Sequence, residues 1–207
     1  MNKLFYSPGS CALGIHVLLE EIGTPFELAK VNLAAREQFS PDYVKVNPKS
    51  KVPALMRDDG SVLTEWPAIA AWLALHHPDK GLLSLEKEQL ARTLEAVDYV
   101  CASLHMQGFT RVWKPEAFSP NADDHGAVKA RGQEIVEKGL AWFDGELASK
   151  AYLGGDRMSI ADAALFFLEF WVAERLKQAL PPHVGAHYAR MRARPAVAKA
   201  LADEGLV

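Results

Sequence analysis

The chain has 207 residues, 49% of them hydrophobic, a formal net charge of −3 and two cysteines. That is apolar material enough for a sizeable core in one large or two small domains, while the mild negative charge and the lack of any Lys/Arg cluster speak against a nucleic-acid partner. No run approaches membrane-spanning length, no apolar leader opens the chain, and Cys11 and Cys101 stand too far apart for a zinc motif or a disulfide framework, so the expectation is a protein of the reducing cytoplasm with no metal and no membrane partner.

The first eighty residues alternate strand and helix signals. Lys3–Tyr6 is strand-like, and Ser7-Pro8-Gly9 after it is turn chemistry. Ile15, Leu18, Leu19 and Ile22 then fall on one helical face that stops at Gly23 before Pro25. Phe26 to Val31 alternates as a half-buried strand does, and Ser40-Pro41-Asp42 marks a helix start. Val52 to Met56 and Ser61 to Thr64 are short apolar runs around Arg57-Asp58-Asp59-Gly60, a hairpin signal. Pro67 opens a helix with Ile69, Trp72 and Leu73 on its face, ending near His77-Pro78. The order β-α-β-α-β-β-α describes a compact mixed α/β unit with a parallel first crossover.

Beyond Pro78 the periodic segments are all helical. Gly81 to Ser84 reads as a linker. Leu90, Leu94, Val97, Cys101 and Leu104 share one face, as do Val136, Leu140, Phe143 and Leu147, and Ile160, Ala164, Phe167, Leu168 and Trp171. Phe118 to Gly126 is a loop, and a shorter helix with Val184, Tyr188 and Met191 breaks at Pro195. The expected domains are 1–79 (α/β), a linker 80–87 and an all-helical 88–207.

Cys11 is the leading chemical candidate. As a residue type it is equally a small core hydrophobe, but Pro8-Gly9-Ser10 sets it at the first turn of a helix, where unpaired N–H groups and the helix dipole favour a thiolate. Gly14 occupies the partner position of a dithiol motif, which excludes Cys-x-x-Cys chemistry. Ser10 is either a helix N-cap or a hydroxyl donor to a thiolate, and both roles are compatible. Pro53 either starts a strand or makes a cis peptide that turns the Val52 backbone towards an extended ligand. Thr64-Glu65-Trp66-Pro67 is a common helix start, or an amino-acid site in which Glu65 holds an ammonium. His105 ends an apolar face and reads first as a packed residue; His76-His77 reads as surface. Phe109, Trp113 and Phe118 are core aromatics or the wall of a hydrophobic pocket. Ser159-x-x-Asp162 is a near capping box whose loss costs about 1 kcal/mol.

The motifs Tyr6-Ser7-Pro8-Gly9-Ser10-Cys11-Ala12-Leu13, Asn47-Pro48-Lys49-Ser50-Lys51-Val52-Pro53-Ala54-Leu55, Leu63-Thr64-Glu65 and Ser159-Ile160-Ala161-Asp162 resemble, in order and over the whole chain, those of cytosolic glutathione S-transferases. The cysteine in the first motif makes the bacterial beta class the nearest type. The resemblance implies a thioredoxin-like N-terminal domain, an all-α C-terminal domain and a homodimer. It implies glutathione as co-substrate: Cys11 beside its sulfur, the backbone at Val52 and Pro53 on its cysteinyl unit, Glu65 and Trp66 at its γ-glutamyl end. Asp98 and His105 match positions that contact glutathione from the helical domain, in some dimers from the partner subunit, and Arg36 roughly matches a lysine. Trp66 replaces a serine or glycine, Met106 a lysine and Asp98 a neutral amide, so altered glutathione binding is expected.

Three readings follow. In the first, glutathione is ionised near Ser10 and Cys11 and attacks a small hydrophobic electrophile held by the helical domain, serving detoxification. In the second, Cys11 is itself the nucleophile of a glutathione-dependent disulfide reductase. In the third, the fold survives as a non-catalytic binding module.

Overall fold

A computed structural model describes all residues 1–207. In chain order the strands and helices are β1 (Asn2–Tyr6), α1 (Ala12–Ile22), β2 (Phe26–Lys30), α2 (Pro41–Val46), β3 (Ala54–Met56), β4 (Val62–Thr64), α3 (Trp66–His76), α4 (Lys87–Asp98), α5 (Thr110–Trp113), α6 (His125–Leu147), α7 (Ile160–Phe170), α8 (Pro182–Arg192) and α9 (Pro195–Asp203). The chain divides into two compact units, one of residues 1–85 with 190–207, the other of 86–189. No helix is long and apolar enough to cross a membrane.

The first unit is thioredoxin-like. Its sheet runs β2-β1-β3-β4, with β1 and β2 parallel and the rest antiparallel. Leu4 faces Leu28 on one side and Leu55 on the other, and Leu55 faces Leu63 across the expected hairpin. α1 is more deeply buried than its four-residue apolar stripe suggests: every residue from Ala12 to Leu19 is buried, His16 included. It ends as expected, at Gly23 in the left-handed conformation (φ 77°), whose N–H donates to the Leu19 carbonyl.

The expected boundary at 88–207 needs correction at its far end. Pro195 does not simply break a helix. It is the first residue of α9, a position where its missing N–H has no helical partner to lose. Val197, Ala200 and Leu201 are buried at i, i+3, i+4, and α9 packs along α1 in the first unit. Arg194, just before α9, closes a two-pronged ion pair on Glu21, with Nε–Oε1 at 2.5 Å and Nη2–Oε2 at 2.8 Å.

In the second unit α4 runs without a break through Tyr99–Phe109, where the winding widens to i→i+5 bonds, into α5. The buried face takes in Thr93, Ala96, Val97, Val100 and Leu104; Val97 and Leu104 of the expected row are buried, Leu90 and Cys101 are half-buried, and Leu94 is exposed. Small residues allow the close approach here. A Cβ on Gly132 of α6 would lie 2.7 Å from the Gly108 carbonyl oxygen, and one on Gly139 would collide with Leu104. α7 is buried along its entire length. Its capping box is formed: Ser159 Oγ accepts the Ala161 N–H, and Asp162 accepts the Ser159 N–H at 2.7 Å.

Asp162 also belongs to a buried cluster that sequence pattern did not expose. His187 Nδ1 lies 2.7 Å from Glu169 Oε1, and Nε2 lies 3.1 Å from Asp162 Oδ1. Both ring nitrogens face carboxylate oxygens, so the triad needs one proton beyond a neutral ring and two carboxylates. Burial works against the imidazolium and pushes the Glu169 carboxyl up, but the two acidic neighbours prevail on the ring and raise His187 to about 10.

Two outcomes are expected. Gly132→Ala should destabilise the protein by about 1–3 kcal/mol through over-packing, while Gly126→Ala, with open space around it, should not; denaturant titration compares them. Because the folded triad holds a proton that an unfolded histidine releases above its ordinary 6.5, its contribution is full below that pH and is lost as pH rises towards about 10. Unfolding free energy should therefore fall between pH 6.5 and 8.5 by up to about 1.4 kcal/mol per pH unit, and His187→Gln should flatten that slope. An unchanged slope in the variant would contradict the assignment.

Candidate active site around Cys11

The site forms where β1 gives way to α1. Tyr6 ends the strand, and Ser10 N–H donates to the Ser7 carbonyl at 3.0 Å to close the turn. Gly9 sits at φ 66°, and its N–H donates 2.7 Å to the buried carboxylate of Glu204, just past α9. Ser10 Oγ accepts the Ala12 N–H at 3.2 Å, so the hydroxyl does cap the first turn. Cys11 follows with its side chain buried.

Three contacts fix Cys11. Its Sγ donates to the Val52 carbonyl at 3.5 Å. Its own carbonyl accepts the Trp66 indole N–H at 3.0 Å. Its helix is anchored about one and a half turns on by His16, whose Nδ1 lies 3.0 Å from Glu204. The Val52–Pro53 peptide is cis. The segment before it is held by the Lys51 carbonyl, which accepts from Tyr43 Oη and Asn47 Nδ2, both at 2.7 Å.

The expected thiolate is not what this environment favours. Burial pushes the Cys11 thiol up from about 9 to about 12, against the lowering influence of the amides at Cys11 and Ala12 and of the Lys51 charge. Burial outweighs all of these together, the helix-start amides included. The Val52 carbonyl, an acceptor, also prefers S–H to S⁻. Cys11 is a neutral hydrogen-bond donor here.

Glu65 is exposed and stands at φ 70°, the left-handed region, at the cap of α3. The threonine before it does not cap the helix. Lys49 Nζ takes both the Thr64 hydroxyl at 3.0 Å and the Glu65 carboxylate at 2.8 Å. The Trp66 indole is buried and committed to Cys11, and Ile69 N–H closes on the Glu65 carbonyl. Ser10, Cys11, Val52, Pro53, Glu65 and Trp66 thus lie in the one unit, with Cys11 joined to Val52 and Trp66 by direct contacts.

Other expected site residues fall elsewhere. Arg36 lies in an exposed loop at φ 58°, its guanidinium over the Phe39 ring at 5.2 Å. Asp98 is exposed at the end of α4 in the helical unit. His105, on the widened stretch of the same helix, is half-buried with its ring 4.9 Å from Trp171 and 5.8 Å from Phe167. Phe109 is not a pocket wall: it is fully buried, packed at 5.0 Å on Trp113 and 5.1 Å on Trp171, because the helix that carries it is clamped against α6 at Gly108 and Gly132. Trp113 and Phe118 remain accessible, Phe118 beneath the Arg111 guanidinium. Sequence reading missed Glu204, His16, Lys49 and the Tyr43–Asn47 pair. Lys49 and Asn47 had a signal, since they fall in the Asn47-to-Leu55 motif; Glu204, 195 residues from Gly9, had none.

Comparison with known proteins points to one family for both parts of the chain. Residues 8–76 match the family described as glutathione S-transferase, N-terminal domain, and residues 68–195 match glutathione S-transferase, C-terminal domain. The chain is 38% identical over 210 residues to glutathione S-transferase GstA of Escherichia coli O157:H7, covering 99% of both. Among solved structures it is similar to a bacterial beta class glutathione S-transferase of Sphingomonas chungbukensis, at 35% identity and TM-score 0.85 over 99% of this chain and 100% of that one. A sphingomonad glutathione S-transferase complexed with glutathione matches at 36% identity and TM-score 0.85, with the same coverage.

Proposed function

The chain belongs to the glutathione S-transferase family, and from that premise we propose that it joins the sulfur of glutathione to small hydrophobic electrophiles, with Cys11 as a thiol donor and not as the nucleophile. The observation that carries this reading is the protonated, buried Cys11 thiol pointing at the Val52 carbonyl. A thiol pushed up to about 12 is held protonated at neutral pH, which disfavours the disulfide-reductase reading. The nucleophile then has to come from the ligand.

Glutathione fits this arrangement as follows. Its cysteinyl unit lies along the Val52–Pro53 edge, extended, pairing with the backbone there. The Cys11 S–H turns from the Val52 carbonyl to the glutathione sulfur and donates to it, favouring the thiolate together with the first turn of α1. An ordinary thiol near pKa 8.5 is only a few per cent ionised at neutral pH, so a lowering by two units, about 2.7 kcal/mol, makes it mostly thiolate. The γ-glutamyl ammonium takes Glu65 in exchange for Lys49, a cheap exchange because that ion pair is exposed. The buried commitment of Trp66 to Cys11 supports a role in holding the turn rather than in filling the ligand's place. Asp98 and His105 would complete the ligand's surroundings from the helical domain of the same or the partner subunit of a homodimer. Accessible aromatics such as Trp113 and Phe118 would receive the electrophile. A reducing compartment rich in glutathione, such as the cytoplasm, suits this chemistry.

Titration calorimetry with reduced glutathione should give a Kd between about 1 μM and 1 mM, the range of enzyme sites. Glu65→Gln should weaken binding about 10- to 100-fold, the worth of a charge-assisted hydrogen bond. Cys11→Ala should lower kcat/KM for an aryl halide by a similar factor yet leave conjugation measurable. Complete loss in Cys11→Ala with glutathione affinity retained would show a nucleophilic cysteine. No binding by the wild type would move the protein to the non-catalytic reading.

A further inference from the structure

His16 has a second ring nitrogen that the Glu204 contact does not use. The ring is fully buried, and Nδ1 faces Glu204 Oε1, whose partner oxygen Oε2 takes the Gly9 N–H. A carboxylate so placed has nothing to donate, so Nδ1 carries a ring proton. The buried Nε2 has no hydrogen-bond partner. It faces two carboxylate oxygens, Glu20 Oε1 and Asp203 Oδ2, each 3.8 Å away. A buried ring nitrogen without a hydrogen bond, set beside two carboxylates, is a donor set that a cation can join.

We propose that His16, Glu20 and Asp203 bind a divalent transition-metal ion of the zinc type. The three donor atoms all lie within 4.8 Å of one another. A tetrahedral ion with bonds of about 2.0–2.2 Å sets its ligands roughly 3.3–3.6 Å apart, so a closure of about half an ångström or less at the two His16 pairs, and of no more than about 1.5 Å between the carboxylates, seats it. His16 and Glu20 are one helical turn apart on α1, and Asp203 ends α9, which brings ligands from two packed helices to one point. The Glu204–His16 contact is the outer-shell partner that a ligating imidazole usually has, fixing the tautomer and raising ring basicity. Asp203 is one-third exposed, which leaves an entry path and a fourth position for water.

A cation already sits at this place. Lys199 Nζ reaches Glu20 at 3.3 Å and Asp203 at 2.5 Å. Two carboxylates face this one ammonium, and a divalent ion balances their charge better. The metal therefore competes with Lys199, and once bound it ties α9 to α1 on the residue that also holds the Gly9 turn through Glu204.

The test is competition of the full-length protein against a chromophoric chelator for Zn²⁺. One ion per chain is expected, bound at least tenfold more weakly by Glu20→Gln and by Asp203→Asn, both outside the deep core, and several-fold more tightly by Lys199→Ala. Cobalt(II) bound at the site should show ligand-field absorption without a thiolate charge-transfer band, which separates it from either cysteine. Three results would overturn the proposal: binding unchanged in the Glu20→Gln/Asp203→Asn double variant, a thiolate band with cobalt, or no ion bound by either the wild type or Lys199→Ala.

Discussion

A buried carboxylate near the end of the chain, that of Glu204, holds the start of the chain in place. One oxygen takes the Gly9 N–H and the other meets His16 Nδ1, so the turn that presents Ser10 and Cys11 is tied to both α1 and the segment that follows α9. Buried polar groups are retained where they are hydrogen-bonded, and here both carboxylate oxygens of Glu204 have partners. Arg194 on Glu21 repeats the tie at the opposite end of α9. The last eighteen residues are thus part of the thioredoxin-like unit, and the Cys11 turn depends on them.

Within that frame, competing physical effects decide what Cys11 is. A helix start favours an anion, and Cys11 is at one. Burial opposes the anion more strongly, and the Val52 carbonyl selects the S–H form. A buried thiol that stays protonated is a poor nucleophile and a good donor. Trp66 serves the same end by locking the Cys11 carbonyl with an indole N–H.

Much of this layout is legible in the residues. The Asp59-Gly60 hairpin, the Gly23 stop, the capping box at Ser159 and Asp162, and the motifs around Cys11, Val52 and Glu65 are local, and local chemistry is what a sequence displays. Two kinds of feature stayed hidden. Contacts between distant positions, such as Gly9 with Glu204 or His187 with Asp162 and Glu169, carry no periodic signal. Balances between opposed effects were also out of reach, because a residue's position at a helix start is visible while its burial is not. Cys11 was assigned a thiolate for that reason, and Phe109 a pocket wall. α9 escaped because Pro195 reads as a break when it is a beginning. Leu94 is exposed while the smaller Thr93 and Ala96 beside it are buried.

The most direct measurement is the absorbance of the thiolate near 240 nm as the folded protein without glutathione is titrated, taken as the difference between the wild type and Cys11→Ala. A thiol raised to about 12 should give no Cys11 step between pH 6 and 9. A step in the difference curve near neutral pH would show a resting thiolate at Cys11, and would contradict its role as a neutral donor.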